Sequence, residues 1–193
     1  MLPFLHERMR ALEHLMAQSS AVLNKYTRLD LDLGPALTAF LDDTIAGYRA
    51  LTRSSAENQM LVLKAQFISA TQGVHPLTLE RVTGHRREMV RAIALRVLQS
   101  SAEKLRNDLA TDDQTIAEGR ALLRPIVLLA EQKGLIPLRA GTALNQQELD
   151  ELWRQLLQEA DISLAARQVA MQLSLYDIQL LLAELISAIR GSH

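Results

Sequence analysis

Between His85 and Leu109 apolar residues recur at steps of three and four: Met89, Val90, Ile93, Ala94, Val97, Leu98 and Leu105, with Leu95 widening the stripe. The spacing predicts a long central helix whose apolar surface touches neighbours on more than one side. Arg91, Arg96, Glu103 and Lys104 leave only a narrow band for water. Upstream, Leu5, Met9, Leu12, Met16, Ser19, Leu23 and Tyr26 alternate by four and three, the seam of a first helix from about Pro3 to Tyr26 that packs lengthwise on another. Asp30, Asp32, Gly34 and Pro35 predict a turn, with Pro35 opening a second helix that ends near Arg53. Its buried face is Leu37, Phe40, Leu41, Ile45, Tyr48 and Leu51.

Ser54 and Glu57 have the spacing of a capping box, so a third helix is expected from near Ser55, with Met60, Leu63, Phe67 and Ala70 inward. Gly73 and His75-Pro76 end it. Leu77 to Val82 reads as a short helical turn, interrupted at Thr83-Gly84. Thr111 and Gln114 repeat the capping spacing and predict a fifth helix from Asp112 to Lys133, which Pro125 should kink or divide. Leu135 to Leu144, containing Pro137 and Gly141, suits a linker. Asn145 and Glu148 cap a sixth helix with Leu149, Leu152, Trp153, Leu156 and Leu157 on its apolar face. Two more follow, Leu164 to Leu173 and Leu175 to Arg190, separated by Ser174 with Asp177 three residues on. In the last of these, Leu175, Ile178, Leu182, Leu185 and Ile189 form a stripe that Leu181 and Ile186 broaden.

The expectation is an all-α fold, a bundle of about eight helices. Long antiparallel helices make up residues 1–110, and a shorter-helix section, residues 111–193, packs against them or continues the same domain. Composition agrees: aromatic residues are only 4% while good helix formers abound. A net charge of −1 provides no global field for nucleic acid or an anionic membrane. The charge is nevertheless uneven. Leu77 to Ala110 holds seven arginines and lysines against four acids, whereas Thr111 to His193 holds seven against eleven, so the two regions are suited to each other. Absence of cysteine excludes disulfides, thiolate metal sites and a cysteine nucleophile. The opening MLPFLHERMR is unlike a signal peptide, and no run approaches the roughly 18 apolar residues of a membrane span, which predicts a soluble, cytoplasmic protein.

Candidate chemistry is sparse. The Glu-x-x-His spacing of helical metal sites does not occur; His85 and Glu88 show it reversed, and His6 and His14 stand alone, so no metal and no cofactor is expected. His85, followed by Arg86, Arg87 and Arg91, could accept a phosphoryl group, but a solvated helix start explains it better. The acid pairs Asp42-Asp43 and Asp112-Asp113 diverge on a helix, so they provide no paired-carboxylate site. Met9, Met16, Met60 and Met89 read as core or as the lining of an adaptable groove. Ile162-Ser163-Leu164-Ala165-Ala166-Arg167-Gln168-Val169, followed by Leu175-Tyr176, resembles part of a Fis-type helix-turn-helix, which would imply DNA binding. This chain departs from that pattern: the turn is one residue short, Ala170 replaces Gly, and the would-be recognition helix is apolar and acidic where DNA contact needs polar and basic groups. Core packing explains the run better.

Three functions remain in order of preference. The first is a non-enzymatic helical interaction or regulatory module with a protein partner or a second copy of itself. The second is a sensor that binds a small anion or metabolite between helices, with Arg81, Arg86, Arg87 and Arg91 as the clamp. The third is a DNA-binding regulator working through the C-terminal helices; nucleic acid is the least favoured partner.

Overall fold

The computed structural model describes residues 4–82, 84–136 and 144–190. Among them are seven helices: α1 (Leu5–Thr27), α2 (Leu33–Ala50), α3 (Ser54–Thr71), α4 (Arg86–Gln132), α5 (Gln146–Gln158), α6 (Ser163–Gln172) and α7 (Leu175–Arg190). No strand occurs among the described residues, only an isolated antiparallel bridge between Val74 and Arg81. Most of the stretch expected as a linker, residues 137–143, lies outside the described residues, as do Pro3 and Thr83.

The chain divides into two compact units, Met9–Ala110 and Met1–Arg8 with Thr111–His193. In the first, α1, α2, α3 and the opening half of α4 surround one core that includes Leu12, Leu41, Tyr48, Met60, Phe67, Val97 and Leu105. Paired side chains show that consecutive helices run in opposite senses. Lys25 Nζ meets Asp32 Oδ2 at 2.6 Å and Gln18 meets Asp43 at 3.2 Å, which sets α1 against α2. Arg49 with Glu57 at 2.8 Å, and Lys64 with Asp42, do the same for α2 and α3. Arg53 with Asp108 at 2.9 Å, and Arg86 with the Thr71 carbonyl, do so for α3 and α4. The inward faces of α2 and α3 are the apolar stripes of the sequence, with Leu51 only half-buried. A Cβ added at Gly47 would stand 3.0 Å from Leu15 Cδ1, so α1 and α2 approach closely there.

In the second unit, Ile116, Leu123, Ile126 and Val127 of α4 join the cores of α5, α6 and α7. Asn145 and Glu148 form the expected capping box: each side chain accepts from the other residue's backbone N–H at 2.9 Å. Ser174 caps α7, its hydroxyl accepting from Asp177 N at 3.2 Å. Ile178, Leu181, Leu182 and Ile186 of α7 are buried, while Leu175 is 51% exposed.

Several expectations are corrected. The count is seven because the fourth and fifth expected helices are one, the 47-residue α4. No glycine or proline interrupts the join. Thr111 lies inside the helix, its carbonyl accepting from Thr115 Oγ1 at 2.9 Å. Continuing a helix adds one hydrogen bond per residue, whereas a break needs a new nucleus. Pro125 does not divide α4; it is exposed, where water can take the Ala121 carbonyl that it leaves unbonded. The Ser54–Glu57 box does not form, because the Glu57 carboxylate turns to Arg49 instead. Residues 77–82 are not a helical turn but belong to a tight reversal in which His75 N donates to Glu80 O and Val82 N to Gly73 O, both at 2.9 Å. The seam of α1 is rotated. Leu5, Leu12 and Ser19 are buried as expected, but Leu15 and Val22 complete the face, and Leu23 is 42% exposed.

Candidate functional site

One candidate site, the groove that gathers three of the expected arginines, lies in the four-helix unit and is built by three local features. The end of α1 and the reversal after it supply Tyr26, Leu29, Asp30, Leu31 and Leu33. Leu29 adopts a left-handed conformation, φ +61, which turns the chain sharply and leaves Leu31 fully in water. From α3 comes Phe67, buried in the floor. The third feature is the start of α4, where the chain leaves the reversal through His85 at φ +52 and enters the helix with Arg86 and Arg87 in its first turn.

Together these enclose a groove of about 510 Å³. Its floor is apolar: Phe67 and Ala94 are buried, and Leu33 and Val90 are half-buried. Arg86, Arg87 and Arg91 line it. Arg86 crosses Gly73 and donates to the Thr71 carbonyl, closing the end of α3; Gly73 itself has φ +80. The Arg91 guanidinium lies 5.0 Å from the centre of the Tyr26 ring, a cation–π contact that orients it. Arg87 forms no hydrogen bond or ion pair among the described residues. The one acid on the lining, Asp30, is 4.0 Å from the Lys25 ammonium. Lys25 is bound more closely to Asp32, and this hydrogen bond holds the lysine above its ordinary pKa and the aspartate below its own. Arg86 and Arg87 in the first turn of α4 add their charge to the positive end of the helix dipole, opposed in part by Glu88 in the same turn and Asp30 on the lining.

Three of the four expected clamp residues therefore share one groove. The fourth, Arg81, does not line it: the bridge to Val74 holds its backbone in the reversal and leaves the side chain exposed. His85 is also exposed, 3.2 Å from an exposed Glu88. Met60 is core, and Met9, Met16 and Met89 are half-buried. Asp42 turns to Lys64, Asp43 to Gln18, and Asp112 inward while Asp113 faces water, so the adjacent acid pairs do diverge.

Three carboxylates that local sequence patterns did not single out as buried groups lie inside the units. Asp177, wholly buried, accepts from the backbone N–H of Leu5 at 2.9 Å and of His6 at 3.0 Å, from His6 Nδ1 at 2.7 Å and from the Ser174 hydroxyl at 2.6 Å. It thus caps α1 from α7. Burial pushes its pKa up, but these donors together outweigh burial and hold it below the usual carboxylate range. Asp108 is similar: burial raises its pKa, and Lys104, Tyr48 and Arg53 bring it down past its ordinary value. Asp112 accepts from Arg8 Nε at 2.6 Å and pairs with the same guanidinium a second time. Each carboxylate is saturated by donors, which suits anchoring rather than proton transfer. Among the described residues no three His, Cys, Asp or Glu side chains converge on a point fit for a metal ion.

A second groove, about 640 Å³, lies in the other unit between α4 and α7, with Arg120, Arg124, Leu128, Leu185 and Ile189 along it. Arg120 pairs with Glu184 at 3.0 Å, and its buried Nε has no hydrogen-bond partner among the described residues.

No family model, no curated protein and no solved structure matches this chain. Among the described residues no helix is long and apolar enough to cross a membrane.

Proposed function

We propose that this chain is a non-enzymatic regulatory module that works by binding, and that its four-helix unit is a sensor for a small anion held between helices. The observation that carries this reading is the groove that gathers Arg86, Arg87 and Arg91 over an apolar floor, with Asp30 as its only acid. Charged hydrogen bonds at such a site are worth about 1.5–3 kcal/mol each, enough to fix the orientation of a ligand whose apolar part is merely buried. Arg81 drops out of the clamp.

Thermal shift across a panel of anions tests the reading. A ligand at about 100 times its dissociation constant stabilises by about 2.7 kcal/mol. The stabilisation is expected to fall in Arg87→Ala and Arg91→Ala. If no anion raises Tm at saturation, these arginines are a solvated face and the sensor reading fails.

A second reading, docking of a protein partner or a second copy, is favoured by the groove along α4 and α7, where Leu128 is 43% exposed beside Leu185 and Ile189. Light scattering on Leu128→Asp checks it: a wild-type dimer should become a folded monomer. The DNA reading is the weakest, because α7 commits Ile178, Leu181, Leu182 and Ile186 to the core, which leaves little of the helix to read a groove.

A further inference from the structure

We infer that the ligand of the Arg86–Arg87–Arg91 groove is an amphipathic anion, an acyl or aryl carboxylate. Its head lies at Arg87 and Arg91, and its apolar part covers Val90, Leu33 and Leu29. This rests on the sensor reading above and specifies its ligand. The floor is the first argument. Val90 and Leu33, half-buried over the buried Phe67 and Ala94, and the exposed Leu29 offer carbon surface and no side-chain hydrogen-bond donor, so a bare inorganic anion would lose its water there and recover bonds on one side only. An apolar tail instead gains by displacing that water.

The cations set the head. Arg86 gives one N–H to the Thr71 carbonyl and keeps its charge, and the Arg91 guanidinium lies 5.0 Å from the centre of the Tyr26 ring, a contact that uses none of its N–H donors. Arg87 has no partner among the described residues. Arg87 and Arg91 are four residues apart on α4, hence on one face of the helix, flanking Val90. Three guanidinium charges against the one carboxylate of Asp30 draw an anionic head to this edge, and the apolar surface beside it, rather than the charge count, favours a carboxylate with a tail over a bare polyanion. The rim favours the same ligand. Leu29 is 60% exposed and Leu31 101% exposed, both at the reversal that borders the groove, where their side chains extend the apolar surface and offer a phosphate no hydrogen-bond donor.

The test is isothermal titration of the full chain with hexanoate, octanoate and decanoate below their micelle concentrations, with inorganic phosphate and octanol as single-feature probes. Affinity should rise by up to about fourfold per added methylene until the floor is covered. Phosphate and octanol should each bind at least about tenfold more weakly than octanoate. Arg87→Gln and Arg91→Gln should weaken octanoate by about tenfold or more with an unchanged circular dichroism spectrum, and Val90→Gln should flatten the chain-length dependence. Phosphate binding as tightly as octanoate, and lost in Arg87→Gln, would overturn the amphipathic ligand while leaving the anion sensor standing. Absence of any anion binding overturns both. Octanoate binding that Arg87→Gln leaves intact also overturns the inference, since the ligand then sits elsewhere.

Discussion

Replacing Asp177 by alanine removes one carboxylate and strands four donors at once. The side chain is wholly buried and accepts from Leu5 N, His6 N, His6 Nδ1 and Ser174 Oγ, all between 2.6 and 3.0 Å. Leu5 is itself buried, so its N–H has no route to water once the acceptor is gone. A stranded buried donor costs about 1–3 kcal/mol, and loss of a helix cap alone costs about 1 kcal/mol. Such terms do not add in full, so about 3–5 kcal/mol is the working figure, a large part of a total stability of about 5–15 kcal/mol. Asp177→Asn keeps one acceptor and should lose about half as much. Trp153, the single tryptophan, is buried in α5 and makes its fluorescence a reporter of the unit that contains Asp177. With a urea slope of about 2 kcal/mol per molar, the alanine variant should bring the Trp153 transition down by about 2 M. Exposed Asp113→Asn serves as the control. If Asp177→Ala moves the midpoint no further than the control does, the carboxylate does not hold the start of α1 and the account of this unit is wrong.

Two further substitutions probe packing. Leu182 is fully buried, so Leu182→Asp should unfold its unit, as read by Trp153 fluorescence and loss of helix signal; a well-folded monomer obtained from a wild-type dimer would show instead that this face is an interface. Gly119→Ala would put a Cβ 2.3 Å from Leu173 Cδ1 and 3.1 Å from its Cγ, and Leu173 is buried, so its side chain must shift to admit the methyl group. Overpacking of about 1–3 kcal/mol should outweigh the helix-propensity gain of up to about 1 kcal/mol and lower Tm, whereas a raised Tm would mean that Leu173 repacks freely.

What could be read from the sequence was whatever a single helix decides for itself. The faces of α2, α3 and α5 were legible because each is buried along one stripe with period near 3.6, and the Asn145–Glu148 cap because both partners lie within four residues. The face of α1 was half legible: positions seven apart were right, but whether the intervening contact falls three or four residues on depends on α2, where Gly47 admits Leu15. Capping spacing misled twice, since a Ser/Thr-x-x-Glu/Gln pair also arises inside or beside helices where its side chains have better partners. Arg86, Arg87 and Arg91 line one groove because they lie within six residues of one helix. Arg81, grouped with them by proximity in sequence, does not line it, since a chain reversal separates it from them. The burial of the carboxylates had no local signature beyond the Ser174–Asp177 capping spacing; Asp177 and His6 are 171 residues apart.

Those carboxylates make acid the condition that should separate structural from superficial charge. Asp108 in one unit and Asp177 in the other have pKa values below the ordinary carboxylate range, because their donors outweigh burial. A group with a depressed folded pKa binds its proton more readily in the unfolded chain, whose aspartate pKa is about 3.9. Its contribution is therefore complete above that value and is lost as pH falls through the lower folded value. Asp32 and Asp161 are also depressed by hydrogen bonds to Lys25 and Lys133, yet these pairs lie in solvent and contribute little. Urea midpoints should thus hold from neutrality to about pH 5 and drop below pH 4 in both Trp153 fluorescence and circular dichroism. Tyr48→Phe removes the hydroxyl that donates to Asp108 at 2.8 Å, so it should lower stability at neutral pH and flatten the acid loss of the four-helix unit while leaving the Trp153 transition unmoved. A Trp153 transition that moved equally would mean that the two anchors do not act on separate units. A midpoint independent of pH down to 3 would mean that neither carboxylate has its folded pKa below its unfolded value.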